Sequence, residues 1–200
     1  MMTNQTLELI QNRHSIKGYD TSFKLSQDEV KELLTYAGYA PSAWNLQHWK
    51  FIAVHSDKAK AKLLPIAFNQ QQVAQASVTI IVLGNKKANE NAEKVLSSLK
   101  GSPVYDNLIA NINQTYQIPG YGDSQAYLNA GLATMQLINA ATAKGLATNP
   151  MGGFDPVQMA ETFDIDTNRY VPAVIVTIGK AAGQARPSTR FSVEETTQFI

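Results

Sequence analysis

From Ser124 to Lys144 the chain has the composition of a helix but almost no polar face. Ala126, Tyr127, Leu128, Leu132, Ala133, Met135, Leu137, Ile138, Ala140 and Ala141 go nearly all the way round the axis. A helix on the surface of a globular domain needs a single apolar stripe, so one that is apolar on several sides must be buried on several sides. It runs through a core or is shared between subunits. Gly145, just past its end, is placed to cap it.

The rest of the 200 residues has to be arranged around that helix. With 44% hydrophobic residues and no linker-like stretch, one globular domain over residues 1–200 is expected. The 17 basic and 16 acidic residues leave a net charge of +1, which offers neither a nucleic-acid footprint nor a membrane-surface patch. A small molecule is the expected partner. There is no cysteine, which removes disulfides, thiolate nucleophiles and iron-sulfur clusters, so redox chemistry would need a bound organic cofactor. His14, His48 and His55 lack zinc-ligand spacing and are read as ordinary donors or surface residues, with no metal site. Met1-Met2-Thr3-Asn4-Gln5 has no signal-peptide character and no apolar run is long enough for a membrane span, so a cytoplasmic location is expected. Charged residues make up only 16%, against about 25% in typical domains, as if part of the surface faced another subunit.

Thr3 or Asn4 can cap a first helix carrying Leu7 and Ile10, and Ser26 with Glu29 forms a capping box before Val30, Leu33, Leu34 and Ala37, with Pro41 beyond its end. Phe51–His55, the β-branched run Val78–Leu83 and Val171–Ile178 read as strands, and Asp57–Phe68 as a helix. Ala88–Lys100 reads as a solvated helix. Ser102–Gly122, poorly periodic and carrying Pro103 and Pro119, reads as a flexible cover. Few, irregularly spaced strands among helices fit an α+β architecture better than a regular doubly wound sheet.

Three segments concentrate chemistry. Arg13-His14-Ser15-Ile16-Lys17 offers two fixed cations, a hydroxyl and backbone donors; the guanidinium fork suits phosphate oxygens and the ammonium a second negative group. Alone, such a segment is more often a solvated face than a ligand site. Pro41-Ser42-Ala43-Trp44-Asn45-Leu46-Gln47-His48-Trp49 gathers amides, a hydroxyl and indoles where a linker needs one or two turn residues, which suits the edge of a planar heterocycle; the ordinary alternative is a packed turn with core tryptophans. In Asn149-Pro150-Met151-Gly152-Gly153-Phe154-Asp155 the paired glycines permit positive φ and close approach of backbone N–H groups to a ligand, or simply a tight turn. Gly120-Tyr121-Gly122 lacks the third glycine and preceding strand of a dinucleotide fingerprint.

In this order, and with Asn69, Arg186-Pro187 and Arg190, these segments resemble the FMN-dependent nitroreductase family over nearly the whole chain. The resemblance implies a nitroreductase-like α/β sandwich, a central, mostly antiparallel sheet flanked by helices, in a domain-swapped homodimer with FMN at the subunit interface. It implies that Arg13, His14, Ser15 and Arg190 surround the FMN phosphate and that Lys17 sits by the ribityl chain and pyrimidine edge. Asn69 and Gln72 would lie near the ring, with Pro41, Ser42, Ala43, Asn45 and Gln47 coming from the other subunit. Pro150, Met151, Gly152 and Gly153 would line the ring, with the Gly152 N–H at N5; Gly152 and Lys17 then carry the catalytic roles. The implied activity is hydride transfer from NADH or NADPH to nitroaromatics or quinones by a ping-pong scheme. A flavin reductase or small-metabolite dehydrogenase of the same fold and a non-catalytic FMN-binding or storage protein are the alternatives. Gln72 and Ser188 stand where some members carry Lys, and each missing cation removes a charge-assisted bond of roughly 1.5–3 kcal/mol, so weaker FMN retention and a less oxidising flavin are expected.

Overall fold

The structure, a computed structural model, describes residues 4–200; the N-cap reading of Thr3 and the segment Met1-Met2 lie outside it. Its elements run α1 (Gln5–Asn12), α2 (Gln27–Ala37), β1 (Trp49–Val54), α3 (Asp57–Ile66), α4 (Gln72–Gln75), β2 (Val78–Asn85), α5 (Ala92–Val95), α6 (Pro103–Thr115), α7 (Tyr121–Ala143), β3 (Ala147–Met151), α8 (Pro156–Thr162), β4 (Tyr170–Gly179) and α9 (Val193–Thr196). The strands form one antiparallel sheet in the order β1-β2-β4-β3. This is the α+β arrangement expected.

The continuous apolar run of β2 has a simple cause: both faces of the sheet are covered. Val78, Ile80 and Val82 point with Val176 and Ile178 into a core closed by Leu33 and Ala37 of α2 and Ala130, Leu137 and Ala141 of α7. The alternate residues Ile81 and Leu83 pack with Ile175 against Leu63 of α3 and Met159 of α8. Successive side chains of a strand face opposite sides, so a strand between two helical layers has no polar face to show.

The long helix α7 lies directly on β2. A Cβ on Gly84 would stand 2.5 Å from the Ala126 carbonyl oxygen, and one on Gly122 2.3 Å from that of Lys86, so both glycines are required by close backbone approach. Gly145 follows α7 with φ +73°, its N–H bonded to Thr142 O and that of Leu146 to Ala141 O, the paired closing bonds of a glycine-capped helix. The capping box of Ser26 and Glu29 is present, and Asn4 accepts from the Thr6 N–H.

Three stretches differ from expectation. Ser102–Gly122 is mostly regular helix: the Ser102 side chain accepts from the Tyr105 N–H, Pro103 sits at the first turn, where no N–H is needed, and α6 runs to Thr115. Ala88–Lys100 is broken into short turns, and Ala88 and Ala92 are buried, so it is not a solvated helix. Residues 149–151, read as the start of a glycine turn, belong to β3, Ala147–Met151; Pro150 is tolerated because β3 is an edge strand.

Candidate active site

The chain leaves α1 extended at Arg13 and is stitched to the start of β3, Ile16 N–H donating to Thr148 O at 3.0 Å with Ser15 bridging Thr148. Three residues beyond Ile16, buried Tyr19 donates its hydroxyl to Thr177 O at 3.1 Å and lies 2.9 Å from Thr177 Oγ1; burial raises its pKa to about 12. The tail after β4 returns over this segment, Ala182 N–H donating to Gly18 O at 3.0 Å. Arg13, His14, Ser15 and Lys17 thereby face Arg186, Ser188 and Arg190 across a cleft of about 370 Å³ whose lining includes no carboxylate. Arg13, Lys17 and Arg186 have no acidic partner among the described residues, while Arg190 Nη1 donates to Ser188 Oγ at 3.0 Å and Thr189 O at 2.9 Å. A concave set of unneutralised cations with a hydroxyl is suited to a phosphate.

At the other end of β3 a second group assembles. After α3 the chain turns through Phe68 (φ 53°) and Asn69 (φ 56°), and Lys60, buried on α3, donates Nζ to Ala76 O at 2.6 Å to secure the end of α4. Burial, then nearby Lys24, lowers the Lys60 pKa. Gln70 donates Nε2 to Gly153 O at 2.8 Å; buried Gln72 donates Nε2 to Met151 Sδ at 3.1 Å and Gln70 Oε1 at 3.3 Å. Asn69, Gln72, Pro150, Met151, Gly152 and Gly153 are therefore neighbours in space, joined by Gln70, which sequence reasoning missed. The run Gln70-Gln71-Gln72, polar where the helix after Asn69 begins, was the available signal. Neither glycine takes positive φ, contrary to the use expected of the pair. What Gly152 supplies is room: a Cβ there would meet nothing within 4 Å. Thr148 near the start of β3 and Gly152, one residue past its end, are four residues apart, roughly 13 Å at about 3.3 Å per extended residue. The two groups thus lie at the ends of one short straight element.

The third segment is elsewhere. None of Pro41, Ser42, Ala43, Asn45 or Gln47 lines the cationic cleft of its own chain. The loop is fastened to α7, Ala43 N–H donating to Asn129 Oδ1 at 3.0 Å, and to the segment before α5, Asn91 Nδ2 donating to Leu46 O at 2.8 Å, and it is closed on itself by Gln47 N–H donating to Ser42 Oγ at 3.0 Å. Trp44, Asn45 and Gln47 all have positive φ. Leu46 and His48 are buried, so the surface reading of His48 is corrected: its Nε2 lies 2.8 Å from the Tyr116 hydroxyl, and burial lowers its pKa to about 4. Tyr121 packs on this pair, edge to face with Tyr116 at 5.3 Å, and Trp44 packs on Tyr121 in turn.

A fold with these two groups at the ends of its edge strand has relatives. Residues 10–180 match the profile of the nitroreductase family. The chain belongs to that family. Over the full length of both chains it is 44% identical to "Putative NAD(P)H nitroreductase YodC" of Bacillus subtilis. It is 29% identical to "CLA biosynthesis enone reductase" of Lactiplantibacillus plantarum, covering all of this chain and 96% of that one. The crystal structure of a "putative nitroreductase in complex with FMN" from Exiguobacterium sibiricum 255-15 superposes with a TM-score of 0.91 at 35% identity, covering 100% of this chain and 99% of the other. The nitroreductase fold read from the sequence is thereby established, as an antiparallel sheet between helical layers.

Proposed function

We propose that this protein is an FMN-dependent NAD(P)H oxidoreductase acting on nitroaromatics and quinones. The observation that carries the reading is the pairing, along one strand, of a cationic cleft lined by no carboxylate with an open glycine. The donor set fits FMN, and the FMN complex of the Exiguobacterium relative supports the choice. When bound, FMN supplies a ring that takes a hydride from NADH or NADPH at N5 and hands it to an electron-poor acceptor, one site serving both in turn.

The residues divide the work by chemistry. Arg13, Ser15 and Arg190 hold the phosphate, with His14 beside them. Lys17 offsets negative charge at the pyrimidine edge, a stabilisation that grows as the site excludes water. Gly152 offers its N–H to the ring, with no side chain to obstruct approach, and Asn69, Gln72, Pro150, Met151 and Gly153 frame it. Pro41, Ser42, Ala43, Asn45 and Gln47 complete the site of a second subunit, consistent with their absence from the cleft of their own chain. The likeness to the enone reductase supports a conjugated enone as a further acceptor.

The working form is a cytoplasmic, domain-swapped homodimer. The chain exposes 11934 Å², where a compact monomer of 21.9 kDa exposes about 9,300 Å². An excess of roughly 2,600 Å² is the size of one partner's share of a large obligate interface. Much of it is apolar: Tyr127, Leu128, Leu132 and Met135 of α7, Leu7 and Ile10 of α1, and Phe191, Val193 and Phe199 of the tail are exposed. Sedimentation showing an FMN-loaded monomer would refute the dimer.

The central test is the visible spectrum of the purified protein, before and after anaerobic NADH or NADPH. A flavin band bleached by either nucleotide is the expected result. A band that persists with both would favour a storage role, and no band after added FMN would overturn the reading.

A further inference from the structure

The Gly152–Gly153 corner is the part of the proposed site with the least of its own to hold it. It lies past the last residue of β3, both glycines are exposed, and a Cβ on Gly152 would meet nothing within 4 Å. Two glycines in succession leave the backbone the most freedom it can have. A backbone N–H that is to meet a ligand atom must nevertheless be held to within about half an ångström.

What holds the corner is a relay of two amides from the α3–α4 turn. Gln72, buried, donates to Gln70 Oε1 and to Met151 Sδ. Because Gln70 accepts through its oxygen, its NH₂ must face away, and it donates to Gly153 O at 2.8 Å. Each amide thus fixes the orientation of the next. One anchor falls on Met151, just before Gly152, and the other on Gly153, just after it. The Gly152 N–H is bracketed between them.

We infer that the Gln72–Gln70 relay positions the Gly152 N–H toward the flavin ring and thereby sets the redox poise of the site, Gln70 being a positioning residue that acts through Gly153. This rests on the FMN reading above. An N–H held at N5 stabilises the oxidised ring, whose N5 lone pair accepts, more than the reduced ring, whose N5 carries a hydrogen. Loosening the corner therefore raises the midpoint potential and weakens binding of oxidised FMN by the matching factor, while the phosphate end, which supplies most of the affinity, is untouched.

The discriminating variant is Gln70→Glu. It matches the shape of the native side chain and can still accept from Gln72, but when ionised it has no hydrogen for Gly153 O. Gln70→Ala removes both bonds, and Gln72→Met keeps the packing against Met151 without a donor. Midpoint potentials by spectroelectrochemistry and FMN dissociation constants by fluorescence quenching are measured on all four proteins. Gln70→Glu and Gln70→Ala should both shift the oxidised–reduced equilibrium several-fold toward reduced flavin, where tenfold corresponds to about 30 mV for a two-electron couple. Their dissociation constants for oxidised FMN should rise by that same several-fold factor and no more, and Gln72→Met should shift the potential in the same direction by less. A wild-type potential in Gln70→Glu, or an effect confined to FMN affinity, overturns the inference while leaving the flavin reading standing. Wild-type protein that binds no FMN removes the flavin reading and this inference with it.

Discussion

In the segment Arg13–Lys17 the backbone is anchored to β3 and the charged side chains are left free; in the loop Pro41–His48 anchoring runs largely through side chains, and the backbone is bent into the left-handed region at Trp44, Asn45 and Gln47. Left-handed non-glycine residues cost of order 1 kcal/mol or more each and persist only where their surroundings over-determine them. The loop has such surroundings: buried Leu46 packs with Ala88, Ala92 and Ile112, and His48 is held by Tyr116. The cationic segment leaves its charged groups unpaired among the described residues, whereas the loop's buried groups fix its own shape. Substitutions of the loop's buried residues, Leu46 and His48, should therefore appear in stability, and those in the cleft in cofactor binding.

The largest effect is expected from Leu46→Ala, which empties a site with no solvent exposure and should cost about 2–5 kcal/mol in denaturant unfolding of the apoprotein. A loss under about 1 kcal/mol would mean that packing does not hold the loop. Next comes acid. His48 has an unfolded pKa near 6.5 and a folded value of about 4, so the unfolded chain takes up its proton first. The contribution is fully present above pH 6.5 and is lost as pH falls toward 4, on the order of 3 kcal/mol in all. Urea titrations across that window should show the decline in wild type, and it should be flatter in His48→Phe; equal slopes would remove His48 as the cause.

On the cleft side, Arg13→Ala deletes a charge-assisted contact to phosphate of roughly 1.5–3 kcal/mol. FMN should bind about ten- to hundred-fold more weakly while riboflavin, which has no phosphate, binds as before, and apoprotein stability should move by less than about 0.5 kcal/mol. Equal losses for both flavins would show that Arg13 does not read the phosphate. The smallest effect belongs to Lys17→Ala. Because the ammonium is exposed and screened, the midpoint potential should fall by less than about 30 mV. An unchanged potential would remove Lys17 from the flavin's charge balance.

Legibility followed the range of the forces involved. The capping box of α2 and the apolar run of β2 were readable because each is decided by residues a few positions apart. The cationic segment was readable because its chemistry lies within five consecutive residues. β3 was not: its alternation is broken by Pro150, and only its place at the sheet edge makes that residue acceptable. Helix α6 was hidden by Pro103 and weak periodicity, although Ser102 and Pro103 together are a helix start. The polar run Gln70-Gln71-Gln72 marked the place, but the role of Gln70 was not readable because its partner is Gly153, and no local pattern connects them.

By itself the sequence determined that a helix apolar on most sides must be shared or enclosed, that β2 must lie between two layers, and that a cation cluster stands ready after the first helix. Those are statements about periodicity and charge, which a linear order preserves. Only the tertiary structure decided that the tail brings Arg186 and Arg190 over Arg13, that β3 runs from this cleft to Met151, next to Gly152, and that two glutamines hold the glycine corner. These depend on hydrogen bonds and chain crossings between residues far apart in sequence, whose partners are chosen by the packing of the sheet against α3, α7 and α8.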